Sequence, residues 1–206
     1  MIQYDILDLT KIIGATPTMP LDAPNHYMLV IPTNGFVKPS TQSLVMGCGF
    51  AKQMADLIPG LDKELGQKVT MWGNTVQTTT SYGWTIFTLP VKPGIAVYDG
   101  TNCVQHMRHR FKVGDYIPGW ACKADLGLLR ASLKQLKTHI LEYQTRNHTG
   151  VTISTEVYMP RPGCGAGELK WADVKSVLED EFDQWMALHS DISVHVCALR
   201  SDEFTI

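Results

Sequence analysis

Two glycine-rich loops constrain this chain more than any other feature. The first reads Met46-Gly47-Cys48-Gly49-Phe50-Ala51, and the second reads Pro160-Arg161-Pro162-Gly163-Cys164-Gly165-Ala166-Gly167. Each follows a strand-like run, directly or after a short loop, and each is read as opening a helix. A glycine turn at a helix start leaves backbone N–H groups unpaired at the positive end of the helix dipole, an arrangement that suits a phosphate. Two such turns predict a ligand with more than one phosphate, gripped from both sides.

The residues around the loops alternate between the two hydrophobic periods. Residues 1–9 read as a short strand, and residues 14–24, with three prolines, as a loop. Tyr27-Met28-Leu29-Val30-Ile31 is a continuous apolar run, the pattern of a strand buried on both faces, and Pro32-Thr33-Asn34-Gly35 is read as its stop. A short helix is predicted over 51–57, ended by Pro59-Gly60. Residues 69–80 have the β-branched bias of a hairpin arm, with Ser81-Tyr82-Gly83 as the turn. Residues 84–91 read as another buried strand, closed by Pro90 and Pro93.

Beyond it, Leu126, Leu129, Leu133, Leu136, Ile140 and Tyr143 recur at three- and four-residue spacings, one face of a helix that Gly150 ends. Residues 151–158 are strand-like and lead into the second loop. Val174, Val177, Leu178, Phe182, Trp185 and Leu188 mark a second amphipathic helix, and residues 192–199 a last strand. Strands alternating with helices predict one three-layer α/β/α domain with a mixed, mostly parallel sheet. Residues 94–122 fit neither period and are read as a loop insertion, of the kind that serves as a lid or cover.

Charge and cysteine usage narrow the partners. A net charge of -2 argues against nucleic acid held by bulk electrostatics, though backbone amides can hold an anion without net positive charge. His106, Arg108, His109 and Arg110 cluster with Phe111 in the insertion and are read as a solvated loop, with a nucleic-acid contact as the other reading. The five cysteines, Cys48, Cys103, Cys122, Cys164 and Cys197, form no CxxC pattern and point to a reducing, cytoplasmic setting. Met1-Ile2-Gln3-Tyr4-Asp5 is not the start of a secretory signal, and no stretch approaches the roughly 20 apolar residues of a membrane span.

The ordered set of motifs resembles the macro domain, the ADP-ribose-binding fold. Leu7-Asp8-Leu9-Thr10 is similar to the Gly-Asp-Ile-Thr start of that family. Asn34 with the first glycine loop resembles its ribose and first phosphate-loop segment. The second glycine loop followed by Leu169-Lys170-Trp171 resembles its second phosphate loop. Within the family, the chain most resembles the branch of terminal ADP-ribose hydrolases and ADP-ribose-1''-phosphate phosphatases. The likeness covers most of the chain and lapses over 94–122.

The resemblance implies roles residue by residue. Asp8, with Leu9 beside it, would meet adenine, whose amino group donates to a carboxylate that can only accept. Its other reading is a turn cap at a strand end. Asn34 would orient the distal ribose, or else form an Asx turn before Gly35. Gly47 and Gly49 of the first loop, and Gly163, Gly165 and Gly167 of the second, would let the backbone approach the diphosphate, with Cys48, Ala51, Pro162, Cys164 and Ala166 beside them on the ligand. Phe50 would stack on or line the ribose pocket, or else start the core face of its helix. Cys48 and Cys164 are read as small space-fillers, with a redox role as the other reading. Trp171 would anchor the second loop to the core.

Lys92 matches the lysine that in the hydrolase branch attacks the anomeric carbon, which requires a neutral amine; its other reading is a solvated strand-end charge. The branch's acidic partner falls at Gly167 here, which leaves the adjacent Glu168 as the substitute. The implied activity is hydrolysis at the distal ribose, of ADP-ribose 1''-phosphate or of an ADP-ribosyl ester on protein, without cofactor or metal. A non-catalytic ADP-ribose reader and a nucleotide-binding α/β domain of another family remain the alternatives.

Overall fold

The computed structural model describes residues 1–11, 25–146 and 153–205. Its strands are β1 (Gln3–Ile6), β2 (Asn25–Asn34), β3 (Thr78–Ser81), β4 (Trp84–Lys92), β5 (Ile95–Val97), β6 (Tyr116–Pro118), β7 (Ser154–Pro160) and β8 (Ile192–Ala198). Its longer helices are α1 (Phe50–Leu57), α2 (Leu61–Trp72), α3 (Leu126–Arg146) and α4 (Trp171–Leu188).

The apolar run in β2 explains the layering. Successive side chains of a strand point to opposite faces, so a run without polar positions needs cover on both sides. Met28 and Val30 enter a core with Leu129, Leu133 and Leu136 of α3 and Val174, Leu178 and Phe182 of α4. Leu29 and Ile31 enter a second core with Met54 of α1 and Leu61 and Leu65 of α2. Each such side chain contributes about 1.5–3 kcal/mol by leaving water. Two helical layers therefore clasp one sheet of order β1-β8-β7-β2-β4-β3. All pairings are parallel except the edge hairpin of β3 with β4. Parallel pairing brings the carboxyl ends of β1, β8, β7, β2 and β4 to one rim, where ligands of open α/β sheets bind.

One irregularity shapes that rim. Thr33 pairs with Pro90 but Asn34 pairs with Lys92, so Val91 is an extra residue on β4. Such a bulge bends a strand and redirects its side chains. It also brings Asn34 and Lys92 side by side.

The predicted layering and the long helices agree with the structure, and several boundaries differ. β2 continues through Pro32 to Asn34, because its pairing with β4 continues to the bulge. The predicted strand 1–9 is four residues of β1, with Leu7 and Asp8 already in the loop. The predicted hairpin arm over 69–80 is mostly wrong: Val69 to Trp72 end α2, and only Thr78–Ser81 pair. The turn itself is right, with Tyr82 and Gly83 both at positive φ, as a two-residue hairpin turn requires. Leu188 is 81% exposed, and Met186 takes the last core position of α4. Leu199 is exposed just past β8. The predicted loop 14–24, and Gly150 as helix end, lie outside the described residues.

The insertion is folded rather than loop-like. β5 and β6 form an antiparallel ribbon, and a 3₁₀ turn spans Gln105–Arg110. Tyr98, Cys103, Ile117, Ala121 and Cys122 make a small core of their own. Its bends are tied by short side chains: Asp99 accepts the N–H of Thr101 at 2.7 Å and of Asn102 at 2.9 Å, and Asp115 accepts that of Lys112 at 2.7 Å.

Candidate functional site

The strand ends and their loops enclose a cavity of about 410 Å³, within the usual range for a small-molecule site. It is lined by Asp8 and Leu9 after β1, Asn34 and Lys92, residues Gly47 to Ala51, and residues Gly163 to Ala166. Both glycine loops thus face one space. Pro162 and Gly167, expected on the ligand, are not part of the lining.

The two loops are built differently. Gly49 is the N-cap of α1, at φ 68°, and no side chain caps the helix. The first turn of α1 therefore presents bare N–H groups toward the cavity side. The second loop does not open a helix directly, as the sequence reading expected. It is a pair of turns, with Glu168 N–H on Gly165 O at 3.0 Å and Leu169 N–H on Gly163 O at 3.0 Å, and α4 starts only at Trp171. Trp171 anchors this region as expected. It is buried, donates from Nε1 to Phe204 O at 3.2 Å and meets Tyr4 edge to face.

Lys92 is 7% exposed, which rules out a solvated strand-end charge. Its Nζ donates to Ala166 O at 2.8 Å, tying the cavity floor to the second loop. Burial pushes its amine below the ordinary lysine value, while Cys48, Cys122 and Glu168 pull weakly the other way. Asn34 is also buried, and its amide is partly spoken for. Nδ2 donates to Val45 O at 2.7 Å, and Oδ1 accepts the Phe36 N–H at 3.0 Å. This is the Asx turn, and it pins the segment before the first glycine loop. One N–H and one lone pair remain for a ligand.

Asp8 serves a turn as well. Its Oδ1 accepts the Thr10 hydroxyl at 2.6 Å and the Thr10 N–H at 3.1 Å. Those bonds, the hydroxyl first, hold its carboxyl below the usual range, with Lys11 adding to them. It is thus an ionised acceptor on the cavity wall at neutral pH. Phe50 and Ala51 start α1 and pack on its core while lining the cavity. Cys48 is exposed, and Cys164 is half-buried with its thiol pushed up to about 11 by burial, which keeps it a neutral filler.

Glu168 is corrected most sharply. It does not line the cavity. Its carboxylate accepts the Gln105 N–H at 2.6 Å and lies 3.9 Å from Lys123 Nζ, so it straps the insertion to the second loop. Nor is there room for an acid at 167. A Cβ on Gly167 would sit 2.4 Å from Gly163 O and 2.7 Å from Ala124 Cβ.

The sequence reading missed several lining residues. Trp120 enters from the insertion, and Arg161 and Glu203 line the end nearest the carboxyl terminus. Arg161 pairs with the Glu203 carboxylate and stacks 5.8 Å over Trp171. Trp120 carries no periodic signal. Arg161 lies within the second loop's motif, but its spacing carries no sign of the ion pair with Glu203 that holds it at the cavity. Lys92 and Arg161 are cations on the wall, Asp8 and Glu203 its anions. Among the described residues, no group of three or more His, Cys, Asp and Glu is placed to hold a metal, and no helix is long and apolar enough to cross a membrane.

No family model matches the sequence, and no curated protein matches it. Solved structures do resemble the fold. The macrodomain of Mycobacterium tuberculosis DarG matches at 20% identity and TM-score 0.57, covering 96% of each chain. Thermosipho africanus DarTG in complex with ADP-ribose matches at 12% identity and TM-score 0.51, over 85% of this chain and 38% of that one. A macrodomain mutant from Oceanobacillus iheyensis matches at 11% identity and TM-score 0.51, over 92% of this chain and 83% of that one. The α/β architecture, with its mostly parallel six-stranded sheet, is the macrodomain fold.

Proposed function

We propose, from a macrodomain fold with two glycine loops on one cavity, that this protein binds ADP-ribose and acts at its distal ribose. The observation that carries the reading is that residues 47–51 and 163–166 line the same space, with Asp8 on its wall and Lys92 on its floor. In this reading the diphosphate lies between the loops, held by main-chain N–H groups. Adenine meets Asp8, and the distal ribose lies at Asn34 and Lys92. Charge-assisted N–H bonds contribute about 1.5–3 kcal/mol each. Association costs about 4–15 kcal/mol, so the roughly 8 kcal/mol of micromolar affinity needs several such bonds together with burial of the adenosine.

Lys92 supports catalysis rather than binding alone. A buried amine with a depressed pKa has a larger neutral fraction, the form that can attack carbon. In the proposed step, Lys92 Nζ bonds to the anomeric carbon as the bond to the leaving carboxylate or phosphate breaks. Water then attacks the anomeric carbon, its oxygen becomes the hydroxyl of free ADP-ribose, the C–N bond breaks to restore the amine, and one proton passes to solvent. The bond from Lys92 to Ala166 O, which ties the amine to the second glycine loop, supports this reading.

A second reading, a binding module without turnover, is favoured by one observation. The carboxylates on the cavity wall are Asp8 and Glu203, and Asp8 is held in its own turn while Glu203 is paired with Arg161. Glu168 is turned to the insertion. Purified protein given ADP-ribose 1''-phosphate or a glutamate-linked ADP-ribosyl peptide separates the two. We expect release of phosphate or of free ADP-ribose, lost in Lys92→Met while calorimetry still detects ADP-ribose binding. Binding without release by the unmodified protein would leave the reader, and preference for ATP over ADP-ribose would end both.

A further inference from the structure

We propose that Cys103 and Cys122 form a redox modification site, a dithiol poised to close into a disulfide at the base of the insertion. The two residues face each other in an isolated antiparallel bridge. The bridge is bracketed by Lys123 N–H on Asn102 O at 2.8 Å and Val104 N–H on Ala121 O at 2.9 Å. That bracketing makes Cys103 and Cys122 a non-hydrogen-bonded pair, the kind whose Cα atoms stand about 4.5 Å apart with the side chains on one side. The separation falls within the roughly 4.4–6.8 Å that a disulfide spans. Both side chains enter the same small core, at 0% and 1% exposure.

At present each thiol turns to its own neighbourhood. Cys103 Sγ points to Val104 O at 3.6 Å, and Cys122 Sγ to Pro118 O at 3.6 Å. Joining the two sulfurs needs side-chain rotation, and attack on an outside disulfide needs the small core to open transiently, because neither residue reaches solvent. The position is consequential. Gln105, two residues after Cys103, is the residue that Glu168 holds to the second loop, and Trp120, two residues before Cys122, lines the cavity. A bridge here would fix the insertion as a wall of the site.

The chemistry is exchange with a small-molecule disulfide such as glutathione disulfide. One thiolate attacks a sulfur of glutathione disulfide and expels one glutathione. The second cysteine then attacks the mixed disulfide and expels the other. The two cysteines are oxidised, glutathione disulfide is reduced to two glutathione molecules, and two protons pass to them. Burial slows the first step by holding both thiols protonated, with Cys122 pushed up to about 11.

The test treats the folded native protein with glutathione disulfide at mildly alkaline pH, followed by alkylation and peptide mass spectrometry without reductant. We expect peptides carrying Cys103 and Cys122 to appear linked, with Cys48 left as an adduct or free. We also expect amide exchange over 103–122 to slow several-fold, and both changes to reverse with dithiothreitol. A variant with Cys48, Cys164 and Cys197 changed to serine should give the same link, and Cys122→Ser should not. Free thiols at 103 and 122 after prolonged exposure, or linkage of either to another cysteine, would overturn the proposal. The result does not depend on what the cavity binds.

Discussion

At the scale of single residues, the site turns on a lysine and a glycine. Lys92 is a buried amine whose proton the fold disfavours. Its folded value lies below the unfolded one, so the unfolded chain binds more protons between the two. Stability contributed at this position therefore rises as pH climbs through that window toward the ordinary lysine value, and below it the buried charge is a burden. Lys92→Met is expected to keep or raise the melting temperature at neutral pH, to flatten its rise on the alkaline side, and to abolish turnover.

Gly167 invites the opposite experiment, restoring the acid that the resemblance expected there. Gly167→Asp is expected to lower stability by about 2 kcal/mol or more, because its Cβ would overlap the Gly163 carbonyl and Ala124 Cβ, neither of which is the far end of a flexible side chain. Loss of ADP-ribose affinity should accompany it. A folded, more active Gly167→Asp protein would contradict the geometry. Lys92 and both glycine loops were legible in the sequence as motifs. The burial of Lys92 was not, because a bulge that redirects a strand end leaves no periodic trace, and neither was the outward turn of Glu168, which follows from its positive φ of 60°.

At the scale of elements, helix α2 shows what the sequence hid. Leu61, Leu65 and Val69 fall on one face, but Gly66 interrupts the helical signal and Val69-Thr70 read as strand. The glycine has a packing reason. A Cβ there would lie 2.1 Å from Gln42 O and 2.6 Å from Leu44 N, in the segment just before the first glycine loop. Gly66→Ala should gain about 1 kcal/mol of intrinsic helix preference and lose more than that to overlap. The expected outcome is a lower denaturation midpoint together with weaker ligand binding. An increase in stability would show that the segment yields. α3 and α4 were legible because their apolar stripes are long. The insertion was not, because its short strands and turns are held by Asp99 and Asp115 rather than by a repeating pattern.

At the scale of the whole molecule, one ion-paired cluster joins the helical layer behind the sheet. Glu181 on α4, 7% exposed, accepts from Lys137 Nζ at 2.7 Å and Arg130 at 3.0 Å on α3. Burial alone would raise its carboxyl. The Lys137 bond and then Arg130 outweigh that and leave it below the ordinary value of 4.5. The stabilisation is thus present above that value and lost as pH falls through the lower folded one. Glu181→Gln should be less stable at neutral pH and lose less on acidification, which melting curves across the acid range would read.

The fold was legible at this scale because alternating buried strands and striped helices leave few alternatives to a layered parallel sheet. What was not legible was which distant segments close the cavity, since Trp120 and Glu203 reach it only through tertiary packing.

The clasp itself is open to a direct measurement. Amide chemical shifts of labelled protein can be followed as ADP-ribose and then AMP are added. The account predicts saturable shifts concentrated in residues 47–51 and 163–166 with ADP-ribose, and shifts near Asp8 that AMP alone reproduces. Saturation by ADP-ribose that leaves either loop unmoved, or no saturation at all, would contradict it.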